Sequence, residues 1–125
     1  MDIQFFDDPS LVPKPREEIR VEEVEIAVYP DRFRVFLHVR VTPFLERPNL
    51  LVTIRRSDGK LVSELNIIET MHYDMEFTLH IRGVEDPAGD YEMAIEVFYE
   101  SRNPPQFRHV EHFSVPPASH AEGMA

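Results

Sequence analysis

Between Arg32 and Thr42 the chain alternates side chains without a break. Phe33, Val35, Leu37, Val39 and Val41 fall on one side, and Arg32, Arg34, Phe36, His38 and Arg40 on the other. A period of two places successive side chains on opposite faces, which an extended strand does and a helix does not. One dry face and one wet face describe a half-buried antiparallel strand. No segment of the sequence has a helical period, so the layer that covers this strand must itself be a sheet.

The remaining strands follow from the same pattern. Ile19 to Tyr29 carries Val24, Ile26 and Val28 on one face, but Val21 has the wrong parity, which predicts a β-bulge at Glu22-Glu23. Pro30-Asp31 reads as a two-residue connection to the second strand, setting Ala27 opposite Arg34 and Glu25 opposite Phe36. Leu50, Val52 and Ile54 make a third strand, Ser57-Asp58-Gly59-Lys60 a hairpin turn, and Leu61, Leu65 and Ile67 a fourth. Met75, Phe77, Leu79 and Ile81 line a fifth. The sixth begins at Tyr91, straight after Asp86-Pro87-Ala88-Gly89-Asp90, and continues through Met93, Ile95, Val97 and Tyr99. Phe107 to Val115 closes the series. Pairing the second and fifth strands through their middles sets Arg40 across from Glu76, in a ladder of acid, base and acid over three strands.

A Pro-Ala-Gly-Asp turn delivering Tyr91 to the head of a core strand resembles the corner of the immunoglobulin and fibronectin type III sandwiches. The resemblance is one of architecture and spans about residues 19 to 116. It implies that the Tyr91 hydroxyl bonds back across the turn. The sequence departs from the immunoglobulin pattern in having no Trp, and in placing Met93 where those domains put a cysteine. It is similar in this to the cysteine-free branches of the superfamily. The expected fold is all-β: a single seven-stranded antiparallel immunoglobulin-like β-sandwich. An extended, Pro-rich N-terminal arm over residues 1–18 precedes the sandwich at 19–116, and a flexible tail follows at 117–125. Such sandwiches host many unrelated functions, so the architecture alone assigns none.

Composition narrows the field. With 23 acidic residues against 13 Lys and Arg the formal charge is -10, which disfavours nucleic acid and anionic membranes as partners. The absence of cysteine removes disulfides, thiolate metal sites and cysteine nucleophiles, and fits a reducing compartment. The first residues contain neither a basic leader nor an apolar core of a signal peptide, so a cytoplasmic location is expected.

Candidate chemistry is sparse. His109-Val110-Glu111-His112 has the one spacing that hints at a metal. On a strand, however, His109 and Glu111 share a face while His112 points away, and two ligands leave a zinc site incomplete. No metal and no cofactor is expected. His38 and His80 could approach each other on the outer face of the second and fifth strands as a pH-sensitive pair. No serine sits in a nucleophile motif, and no glycine-rich loop could cradle a phosphate. Phe36 and Phe98 fall on the polar faces of their strands and Phe44 tips a loop, while Phe5 and Phe6 in the arm could cover the exposed rings. These residues favour a non-catalytic protein-interaction or oligomerisation module, with a protein partner or a second copy engaged through the arm. The alternatives are a small-molecule or carbohydrate-binding sandwich using the 43–48 and 69–74 loops, and an enzyme whose site is invisible in sequence.

Overall fold

A computed structural model of the chain describes residues 11–118. Seven strands follow in order: β1 (Val21–Val28), β2 (Arg34–Val41), β3 (Asn49–Arg56), β4 (Leu61–Ile67), β5 (Asp74–His80), β6 (Gly89–Phe98) and β7 (Phe107–Val115). They form two antiparallel sheets, one ordered β1-β2-β5 and the other β4-β3-β6-β7. The sheets stack face to face, with β7 against β1 on one side and β4 against β5 on the other. This is an immunoglobulin-like sandwich in which the fourth strand stays with the third. In constant-type immunoglobulin domains that strand belongs to the opposite sheet.

The core lies between the two dry faces. Val35, Leu37, Val39 and Val41 of β2 meet Leu50, Val52 and Ile54 of β3 and Met93, Ile95 and Val97 of β6, all with no exposed surface. Burying a branched or long aliphatic side chain stabilises a fold by about 1.5–3 kcal/mol, so these central strands carry the fold. The inward face of β5 holds Met75, Leu79 and, just past its end, Ile81, as the alternation predicts. Among the described residues no helix is long and apolar enough to cross a membrane.

The first strand breaks register between Val21 and Glu23, where the parity of Val21 requires it. The extra residue lets Val21 reach the core although it is out of phase with Val24, Ile26 and Val28.

Two registers differ from expectation by two residues. The β1–β2 connection runs over residues 29–33, longer than two residues, because the Asp31 carboxylate accepts hydrogen bonds from the backbone N–H groups of Phe33 (3.0 Å) and Arg34 (3.2 Å). Arg32 takes a left-handed conformation inside that loop (φ 67). Ala27 therefore faces Phe36, and Glu25 faces His38. Across β2 and β5, Arg40 stands opposite Asp74, and Glu76 opposite His38. The alternation of charge survives with other partners: Arg40 bonds Glu22 (2.9 Å) and Glu23 (3.1 Å) at the bulge.

In β4 the expected inward residue is displaced as well. A register shift between Ile54 and Arg55 opposes Arg55 to Leu61 and Ile54 to Ser63. Val62 is thereby the extra residue and turns into the core at 3 % exposure, leaving Leu61 at 40 %.

Of the arm, residues 1–10 lie outside the described residues, and residues 11–18 are only partly extended. Lys14 bridges Phe44 in parallel, donating to the Pro43 carbonyl (2.9 Å) and accepting from Leu45 N–H (3.0 Å). After Pro15, Arg16–Glu18 makes one turn of 3-10 helix, which the proline permits because it precedes the turn rather than interrupting it.

Candidate functional site

At one end of the sandwich the β2–β3, β4–β5 and β6–β7 connections come together with Lys14 and Arg16. Arg16 holds this end. Its guanidinium bonds Glu46 (2.6 Å) and Glu100 (3.3 Å), and lies over the Tyr99 ring, 4.6 Å from its centre. The hydrogen bond from Arg16 holds the Glu46 carboxyl below its ordinary range. Tyr99 donates its hydroxyl to the Glu46 carbonyl (2.9 Å), and burial raises its own pKa, with the Glu46 charge adding to the rise.

The β4–β5 connection is pinned to the same frame. Asn49 donates its side-chain amide to the Tyr99 carbonyl (2.7 Å) and accepts from Glu69 N–H (2.8 Å). Thr70 N–H donates to the Pro48 carbonyl (2.9 Å). The buried Thr70 hydroxyl donates to the His72 carbonyl (3.0 Å) or the Met75 sulfur (3.2 Å), and its oxygen accepts from His72 N–H (3.3 Å). Glu69 is held left-handed, at φ 47. A non-glycine residue is strained there, and the surrounding bonds must hold it.

What this frame displays is apolar. Leu45, Ile68 and Met71 are each 68 % exposed. Phe44, expected at the loop tip, instead packs against the core, and its neighbour Leu45 takes the exposed place. An open groove of about 680 Å³ runs from Arg47 past Ile68 and Met71 to Glu76 and Phe77. A second, more polar hollow of about 440 Å³ is lined by Arg16, Glu46, Asn49, Glu69, Tyr99 and Glu100.

The residues singled out from sequence are distributed differently. Phe36 is half-buried on the outer face of the three-stranded sheet, beside Tyr29 and Phe77 around a hollow of about 230 Å³. Phe98 is half-buried on the outer face of the other sheet, opposite Asn49. The two rings therefore belong to opposite sides of the molecule. Phe5 and Phe6 lie outside the described residues. His109 and Glu111 share a face of the outer strand β7 and bond each other (2.7 Å). His112 points to the other face, 3.6 Å from Glu92. Among the described residues no group of three or more His, Asp or Glu side chains converges as metal ligands.

His38 and His80 do not meet, since His80 faces Arg34. His38 instead bridges strands, bonding Asp74 at 2.6 Å with Glu25 at 3.7 Å. The Asp74 bond, with the nearby charges of Asp74, Glu23 and Glu25, outweighs partial desolvation and raises the His38 pKa.

At the opposite end, Tyr91 donates its hydroxyl to the Pro87 carbonyl (2.6 Å), and its ring stacks on Phe113 with centroids 5.4 Å apart.

Sequence patterns reach neither the frame, whose members Arg16, Glu46, Asn49 and Tyr99 bond across long stretches of chain, nor the display. Ile68 and Met71 lie between strands, where periodicity assigns no face.

Comparison with known proteins yields structural likeness alone. No protein-family model matches the chain, and no curated protein matches it. Similar folds occur within a β-glucuronidase of Bifidobacterium dentium complexed with coumarin-3-O-glucuronide (13 % identity, TM-score 0.53). They occur also in a β-glucuronidase of Parabacteroides merdae with glycerol in its active site (13 %, 0.55) and a glycosyl hydrolase family 2 member of Bacteroides cellulosilyticus (12 %, 0.51). Each match covers 78 % of this chain but only 18 %, 13 % and 15 % of those chains, respectively. The chain is thus similar to β-sandwich portions of glycoside hydrolase family 2 proteins, at a level of identity that speaks for the fold alone.

Proposed function

We propose that this protein is a non-catalytic interaction module whose loop end docks another protein. The observation that carries the reading is the exposure of Leu45, Ile68 and Met71, each at 68 %, on loops that hydrogen bonds hold in place. Covering three such side chains would contribute roughly 3–6 kcal/mol before the costs of association, taking about two-thirds of the full burial value for each. That is enough to anchor a specific contact when a polar rim adds to it. The likeness to pieces of much longer chains fits this reading, because in those chains the sandwich is one part among others.

The test is affinity capture from lysate of the native source, with the intact chain and with the L45S/I68S/M71S variant. Expected is a protein retained in stoichiometric amount by the intact chain and lost with the variant. Identical background from both would refute the reading.

A second reading, carbohydrate binding, draws on the fold likeness to glycosidase chains and on the polar hollow between Arg16 and Glu69. The Arg16 guanidinium already lies over the Tyr99 ring, which removes one stacking surface for a sugar. Calorimetric titration with methyl β-glucuronide and neutral methyl glycosides tests it. Heat that saturates, and disappears on Asn49→Ala, would favour this reading over the first.

A further inference from the structure

We infer that the edge formed by the end of β4, the 68–73 connection and β5 takes an extended segment of a partner protein that alternates basic and apolar side chains. This deepens the interaction reading and rests on it. Three observations converge on that occupant.

The first is backbone. Among the described residues β5 pairs with β2 alone, so its other edge offers N–H and C=O groups to an added strand. An extended chain is the geometry that satisfies them. The second is preorganisation. Ile68 and Met71 flank Thr70, whose hydroxyl and N–H are both engaged, and Glu69 is held at φ 47. Display on a fixed loop lowers the ordering cost of docking, and the groove of about 680 Å³ beside it can receive apolar side chains. The third is charge. Glu69, Asp74 and Glu76 outnumber Arg47 along the groove, and neither Glu69 nor Glu76 forms an ion pair among the described residues. On a chain of net charge -10 they would repel an acidic partner and attract a basic one. A second copy of this chain would bring the same acids against themselves.

The test uses two short capped peptides as probes, one alternating Lys and Leu and the other Glu and Leu, titrated into the isotopically labelled full chain and followed by amide chemical shifts. The Lys-Leu peptide is expected to shift residues in 68–80, with affinity that falls as salt is raised. I68S/M71S, both at exposed positions, should weaken it by about tenfold or more at unchanged melting temperature. E69K/E76K should reverse the preference between the peptides. Equal binding of both peptides, or shifts spread over the acidic outer faces and indifferent to I68S/M71S, would overturn the inference. So would concentration-dependent shifts at these residues without peptide, which would assign the edge to a second copy. Loss of a captured lysate protein on I68S/M71S alongside no peptide binding would overturn the basic, extended chemistry and leave the interaction reading standing.

Discussion

Replacing Tyr91 by Phe removes one buried oxygen from beneath the turn that leads into β6. Tyr91 is 1 % exposed, and its hydroxyl donates to the Pro87 carbonyl at 2.6 Å. The ring remains in the Phe variant, so its stack on Phe113 survives and the change isolates the hydrogen bond. Leaving a buried carbonyl without its donor costs about 1–3 kcal/mol. For a domain of about this size, 1 kcal/mol moves the melting temperature by roughly 4–5 °C, so a fall of roughly 4–15 °C is expected. Circular dichroism melts, with urea unfolding to check that the m-value is unchanged, measure it.

The same variant should alter the response to alkali. Burial, opposed by the Arg56 charge and reinforced by that of Asp86, raises the Tyr91 pKa above its ordinary value. Below about pH 10 the phenol is neutral in folded and unfolded chains alike, and its contribution is fully present. Above that pH the unfolded chain ionises first, so stability falls as pH rises towards the folded pKa. Y91F lacks that component, and the gap between the two proteins should narrow in alkali. A variant melting within about 1 °C of the parent, with a parallel pH profile, would refute the view that this bond fastens the corner.

His38 should titrate above its ordinary value by NMR, and D74N should bring it back towards that value, because the Asp74 hydrogen bond is the largest cause of the rise. The pair's contribution is present below the unfolded histidine pKa and lost as pH rises through the folded one, so D74N should matter most in acid. Val62→Ser should destabilise by about 1.5–3 kcal/mol while Leu61→Ser stays within about 0.5 kcal/mol, and equal effects in urea unfolding would contradict the β4 bulge. Arg16→Met removes the bonds to Glu46 and Glu100 and the stack on Tyr99, so hydrogen exchange should accelerate at the Lys14 and Leu45 amides, which bond across the arm. Unchanged exchange there would show that the strand-like bridge holds the arm unaided.

Local pattern was enough to locate the strands, because period two runs through most of them, although β3 buries Leu50, Leu51 and Val52 in succession. The alternation in β2 and β5, the parity break that demands a bulge before Val24, and the placing of Tyr91 at the head of a core strand could all be read from residue order. Registers could not, because they depend on loop lengths. Asp31 extends the β1–β2 connection by capping two backbone N–H groups, and that local contact moves every cross-strand partner by two. The β4 bulge escaped for a related reason: Leu61 and Val62 are equally apolar, and only the packed partner sheet decides which one is buried. The candidate surface is wholly tertiary. Leu45, Ile68 and Met71 sit in three-dimensional proximity to Arg16, Asn49 and Tyr99 because the chain turns at the same end of the sandwich each time. Apolar residues in connections carry no periodicity, so their sequence assigns them no face. Whether such a side chain is buried like Phe44 or displayed like Leu45 is decided by the packing around it.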